Sequence, residues 1–144
     1  MEIKAGWPGL DELCLDLRLD GQNHITSFSL KVVGGPELLA LADQWRSHFN
    51  GSVENIPLPE GQSPAVLLVR ELILKAQSKW AYPFAEAELC HCRAIPTERV
   101  DQAIVYGAHR PEVVSRRTSA STACGTCRPD VQSILNFRLN KTAA

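Results

Sequence analysis

Four of the five cysteines fall into two tight pairs, Cys90-x-Cys92 and Cys124-x-x-Cys127, with residues 93–123 between them. Four thiols gathered in this way leave few solutions: disulfides, a zinc site, an iron–sulfur site, or a set of buried small residues. Each pair stands just ahead of an expected helix. "IPTERVDQAIVYGA" puts Val100, Ala103 and Ile104 on one face and closes at Gly107, predicting a helix over 97–106. "RPDVQSILNFRL" opens at Pro129 and predicts a helix over 129–139 that buries Val131, Ile134, Leu135 and Leu139. A third short helix begins at Pro111 in "RPEVVSRRTSA". Free N–H groups at a helix start favour negative charge and lower a thiol's pKa, and Gly125 allows a tight turn between two ligands.

Redox setting separates the options. Met1 is followed by "EIKAGWPGLDEL", without a basic start, an apolar run or a small-residue cleavage site, so a cytoplasmic location is expected. In that reducing compartment cysteines read as metal ligands or core residues before disulfides, and a bridge within C-x-C would close a strained ring. Tetrahedral zinc accepts four thiolates but usually meets two C-x-x-C-like knuckles. A [2Fe–2S] cluster takes two thiolates on each iron, which suits one close pair and one turn-separated pair. Spacing therefore favours iron–sulfur and leaves zinc open. About fifty residues in three short helices supply a thin core, the kind of unit that a metal often holds together.

The run "CHCRAIPTERVDQAIVYGAHRPEVVSRRTSASTACGTCRPDVQSIL" carries more than spacing. Its C-x-C, Val-x-x-Ala-Ile, helix-ending Gly, Val-x-x-x-Thr and C-G-x-C-x-P-x-V-x-x-I-L resemble the bacterioferritin-associated ferredoxin (BFD)-like [2Fe–2S] domain, also the central module of NifU. The resemblance implies that Cys90, Cys92, Cys124 and Cys127 ligate one [2Fe–2S] cluster in a compact helical fold. Arg93 and Arg128, each directly after a ligand, become candidates to offset the cluster's negative charge. Thr118, Ser119, Ser121 and Thr122 are candidates for bonds to cluster sulfur or, more commonly, for backbone capping. His91 is a spacer, since a Rieske-type site needs two histidines on one iron.

Before residue 80 the texture differs. "ELCLDLRLDGQNHITSFSLKVVG" alternates on both sides of a turn, with Leu13, Leu15, Leu17 and Leu19 sharing one face of a strand. Cys14, Asp16, Arg18 and Asp20 take the other face, which makes Cys14 structural rather than reactive. Phe28 breaks the parity set by Ile25 and marks a bulge in the returning strand. "GGPELLALADQWRSHFNG" predicts a helix from Pro36 to an end at Gly51, with Leu38, Leu41, Ala42, Trp45 and Phe49 on one face. A second helix starts at the N-cap Ser63 and Pro64. "AYPFAEAE" joins the two parts, with Trp80, Tyr82 and Phe84 as packing anchors.

The fold class is thus α+β: a hairpin with packed helices over 1–80, then a helical BFD-like domain over 88–139. In layout the first part resembles the IscU/NifU scaffold domain. Gly35 stands where the scaffold has its turn cysteine, however, and "LPEGQSPAVLL" holds none where its later ligand would be. The resemblance thus implies a scaffold-like domain without cluster ligands, serving docking or dimerisation.

Net charge is −1, which speaks against a nucleic-acid partner, and "PAVLLVRELIL" is interrupted by Arg70 and Glu71, which speaks against a membrane span. No Ser/His/Asp set, phosphate loop or paired-carboxylate motif marks an enzyme. The expected function is single-electron transfer to a protein redox partner by a ferredoxin-like [2Fe–2S] protein. The alternatives are a NifU-like cluster assembly or delivery factor working with the iron–sulfur assembly machinery, and a zinc-stabilised interaction module. A homodimer is compatible with each.

Overall fold

The leucines of "ELCLDLRL" lie inward, as their spacing requires. In the computed structural model, which describes residues 1–90, 94–120 and 128–140 and only the backbone of Cys90, strand β2 (Glu12–Leu19) buries Leu13, Leu15 and Leu17 almost completely. Each such side chain contributes about 1.5–3 kcal/mol through burial. β2 pairs antiparallel with β3 (His24–Val33), and Leu15 and Leu17 face Leu30 and Phe28. The register slips between Arg18 and Leu19: Arg18 faces Ser27, whereas Leu19 faces Ile25, leaving Thr26 as the extra residue. That bulge lets Ile25 and Phe28, of opposite parity, share one face.

A further strand was not legible in the sequence. β1 (Glu2–Gly6) adds to the free side of β2, with Ile3 and Ala5 buried opposite Leu15 and Leu13. Five residues running into a Trp-Pro-Gly turn carry too little periodicity to announce a strand. Gly6 adopts φ +88°, and a Cβ there would collide with the Asp11 carbonyl, which accepts from the Trp7 N–H at 2.8 Å. A two-residue β4 (Gly51–Ser52) pairs with the start of β3 and completes the sheet order β1-β2-β3-β4.

Helices cover one face. α1 (Pro36–Arg46) packs on β3 through Leu38 and Ala42, and α2 (Pro64–Ala76) packs on β1, β2 and α1. α1 stops at Arg46, five residues short of the expected end. Beyond it the chain turns, and Phe49 reaches back to the Phe28 ring at 5.3 Å. Ser63 caps α2 as expected, its hydroxyl accepting from the Val66 N–H at 3.3 Å. Gln77, buried at the far end of α2, donates to the carbonyls of Val53 (3.1 Å) and Ile56 (3.2 Å) and ties down the loop after β4.

Both open sides of the sheet meet a cation. Met1 and Leu17 exchange both main-chain hydrogen bonds, so the polar groups of Lys4 in β1 and of Leu30 in β3 point away from β2. The Lys4 carbonyl accepts from Lys75 Nζ at 2.9 Å, and the Leu30 carbonyl accepts from Arg46 Nη2 at 3.1 Å. Long side chains from the two helices thereby occupy edge carbonyls that a further strand would need.

The chain divides into Met1–Trp80 and Ala81–Ala144. The second unit holds a small antiparallel pair, β5 (Glu88–Cys90) and β6 (Ile95–Pro96), and the helices α3 (Thr97–Val105), α4 (Pro111–Thr118) and α5 (Arg128–Arg138). α3 ends where the sequence indicated: Gly107 at φ +110° donates to Ile104, and Ala108 donates to Ala103, the two bonds of a Schellman cap. Val100, Ile104 and Val105 of α3, Val114 of α4, and Val131, Ile134 and Leu135 of α5 form the core. Tyr82 meets the Phe137 ring edge-on at 6.0 Å. The architecture is α+β, a four-stranded antiparallel sheet with helices followed by a largely helical unit. Among the described residues no helix is long and apolar enough to cross a membrane.

Candidate metal centre

The thiol pairs flank described elements on both sides. Glu88 faces Pro96 and Cys90 faces Ile95, with a register shift between Glu88 and Cys90. Leu89 and Ile95 are buried and anchor the two strands in the core. Thr97 secures the same corner: its N–H donates to the Ala87 carbonyl at 2.8 Å and its hydroxyl to the Glu86 carbonyl at 2.6 Å. The backbone of Cys90 is therefore held by a ladder, and Cys92 falls in sequence between the paired strands. The short pair β5–β6 was not expected. A three-residue and a two-residue strand leave no period to read.

The second pair follows α4 and precedes α5. Thr118, 2% exposed, closes α4 with a hydroxyl that donates to the Val114 carbonyl at 2.8 Å and accepts from the Ala120 N–H at 3.2 Å. Of the two uses open to Thr118, capping is the one observed. Ser119 takes a left-handed conformation at φ +68°, and its N–H donates to Ser115. α5 begins at Arg128, directly after Cys127 in sequence, so the helix end whose free N–H groups and dipole favour negative charge adjoins the second pair in the chain. Arg128 itself is exposed.

Cys92, Cys124 and Cys127 lie outside the described residues, as do His91, Arg93, Ser121 and Thr122. Among the described residues no group of three or more His, Cys, Asp or Glu could hold a metal ion. Cys14 is half-buried on the outer face of the first unit's sheet, opposite Lys4 and Lys31.

One arrangement between α3 and α5 went unnoticed in the sequence. Asp101 and Arg138 form a bidentate ion pair, Nε to Oδ1 at 2.7 Å and Nη2 to Oδ2 at 2.6 Å, with side chains 12% and 2% exposed. A signal was present: Asp101 shares the apolar face of Ile104 and Val105, and Arg138 that of Ile134 and Leu135. An acid and an arginine on two otherwise apolar faces are candidates to find each other. Arg117 plays a smaller part, donating to the Tyr106 carbonyl at 2.9 Å beside the Gly107 turn.

As a donor set, two pairs of cysteine thiols suit a [2Fe–2S] cluster, which needs two thiolates for each iron. No curated protein and no solved structure matches the chain. Residues 89–136, a third of the chain, match the model of the BFD-like [2Fe–2S] binding domain, a span that takes in both thiol pairs, Thr118 and most of α5. A domain of this kind binds a [2Fe–2S] cluster, and residues 89–136 of this protein are a BFD-like [2Fe–2S] binding domain.

Proposed function

We propose that Cys90, Cys92, Cys124 and Cys127 ligate the [2Fe–2S] cluster, and that the protein passes single electrons through it to a protein partner. The observation that carries this reading is the family match over 89–136, which encloses the complete C-x-C and C-x-x-C set. When bound, the cluster supplies a one-electron couple. The chain's own residues hold the thiolates and set their surroundings. β5 fixes the backbone of Cys90, and the N-terminus of α5 follows Cys127 directly. Thr118 secures the chain that leads into the second pair, and Arg128 adds positive charge beside it.

The first unit receives no cluster chemistry in this reading. Cys14 is its one thiol, and the comparisons lend its scaffold resemblance no support. We assign it to docking. The protein acts as a carrier, and catalysis belongs to its partner.

Anaerobically purified protein should be red-brown and contain iron and acid-labile sulfide in equal amounts. Dithionite should bleach it reversibly and produce the electron paramagnetic resonance signal of a one-electron-reduced [2Fe–2S] centre. A colourless protein carrying one zinc ion would overturn the assignment. Rapid donation of the cluster to an apo-ferredoxin, without reversible reduction, would replace electron transfer with cluster delivery.

A further inference from the structure

We propose that the buried Asp101–Arg138 ion pair is the positioning element of the cluster site, a two-pronged lock that sets α3 and α5, and with them the two thiol pairs, in one relative arrangement. This rests on the four-cysteine ligation proposed above. α3 follows the first thiol pair in sequence and α5 the second. A [2Fe–2S] centre tolerates little variation in the separation of its two thiolate pairs, because both irons belong to one rigid unit. Something in the protein has to hold that separation.

Apolar packing between α3 and α5, where Val100, Ile104, Ile134 and Leu135 are buried, supplies attraction without the direction of a hydrogen bond. A carboxylate gripping a guanidinium through two parallel hydrogen bonds fixes distance and rotation together. Stability alone gives no reason for such a pair, since well-packed apolar residues of similar volume often serve as well or better in a protein interior. Directional fixing is what the pair adds.

The lock works at a distance. Arg138 closes α5 ten residues after Arg128, about 15 Å along the helix. Asp101 stands five residues into α3. Neither is a ligand; the pair acts through two helix axes.

The test uses the full chain loaded with cluster. The double variant Asp101→Leu with Arg138→Met replaces the lock by apolar packing. It is expected to keep the wild-type far-ultraviolet circular dichroism, to release iron to a chelator at least tenfold faster, and to show an altered visible circular dichroism of the cluster. The exchange variant Asp101→Arg with Arg138→Asp restores a pair of opposite polarity and should recover part of the retention. If the double apolar variant holds its cluster with wild-type release and visible spectrum, the lock has no positioning role. Should that variant fail to fold, Arg138→Lys decides. Lysine keeps the charge but loses the second prong, so several-fold faster release supports the proposal and an unchanged rate overturns it. Cys124→Ser, run alongside, tests the ligand assignment separately. Wild-type iron and sulfide in that variant would refute the assignment, whatever the lock variants show.

Discussion

The two units bury their residues by different means. Met1–Trp80 builds its interior from long aliphatic side chains on two layers, with Leu13, Leu15 and Leu17 on the sheet against Leu67, Leu68, Leu72 and Ile73 on α2. Its polar devices are a serine cap on α2, two cations on sheet edges, a buried glutamine under a loop, and the buried Glu71, which accepts from Lys75 Nζ at 2.6 Å one turn along α2. Ala81–Ala144 has shorter helices and smaller core residues, and places polar groups inside, with Asp101 and Arg138 between helices and Thr97 and Thr118 beside the thiol segments. In the first unit the buried polar groups bond within one helix or to a loop, whereas in the second Asp101 and Arg138 join two separate helices. Directional bonding between helices suits a unit that binds a cluster, because a cluster demands fixed positions.

That contrast can be broken from either side. The largest effect is expected from Cys124→Ser, which should remove most bound iron and sulfide and lower the cooperativity of the second unit's unfolding. The first unit should keep its own transition. Calorimetry of the full chain reads both, and loss of the first transition as well would erase the distinction between the units. Next comes Leu15→Ala, which opens a cavity under the sheet and should cost the first unit about 2–5 kcal/mol in denaturant unfolding, with the visible spectrum unchanged.

Thr118→Val keeps shape and removes the hydroxyl, leaving the Ala120 N–H without the acceptor described for it. It should cost about 1–3 kcal/mol. The same change should speed cluster loss, if the threonine secures the second thiol segment; a stability loss with unchanged cluster retention would confine Thr118 to α4.

Smallest is the effect at Asp20. Its carboxylate accepts from the His24 N–H (2.9 Å) and the Gln22 N–H (2.8 Å) at the β2–β3 turn, and these bonds hold its pKa below the ordinary aspartate value. A depressed folded-state pKa means that the contribution to stability is complete above about pH 3.9 and fades as pH falls through the lower folded value. Carboxyl titration by nuclear magnetic resonance should place the Asp20 midpoint below that of an unstructured aspartate. An ordinary midpoint would show the turn unbonded in solution.

Much of the fold was legible because strong periods leave marks in sequence. Four leucines at alternating positions announced β2, Pro36 and Pro64 announced two helix starts, and Gly107 announced the end of α3. Even the bulge was visible, as the clash in parity between Ile25 and Phe28. What escaped was short or non-local. β1 has five residues and gains its place only by pairing with β2, while β5 and β6 exist through each other. Past the early end of α1, Phe49 is buried against Phe28, a contact no window around residue 49 contains. Of the site, the thiol spacing was plain, but the Asp101–Arg138 lock was not, since its partners are 37 residues apart.

By itself, then, the sequence determined the two-pair thiol pattern on which the match to a BFD-like [2Fe–2S] binding domain falls. Thiol ligand chemistry is a property of the side chains, present before any folding, and the spacing of the two pairs is written in the sequence. Tertiary structure alone decided that Asp101 of α3 and Arg138 of α5 meet. A buried carboxylate and guanidinium carry no mark of pairing until two helices bring them within 2.7 Å, because the desolvation that makes them seek each other exists only in the folded interior.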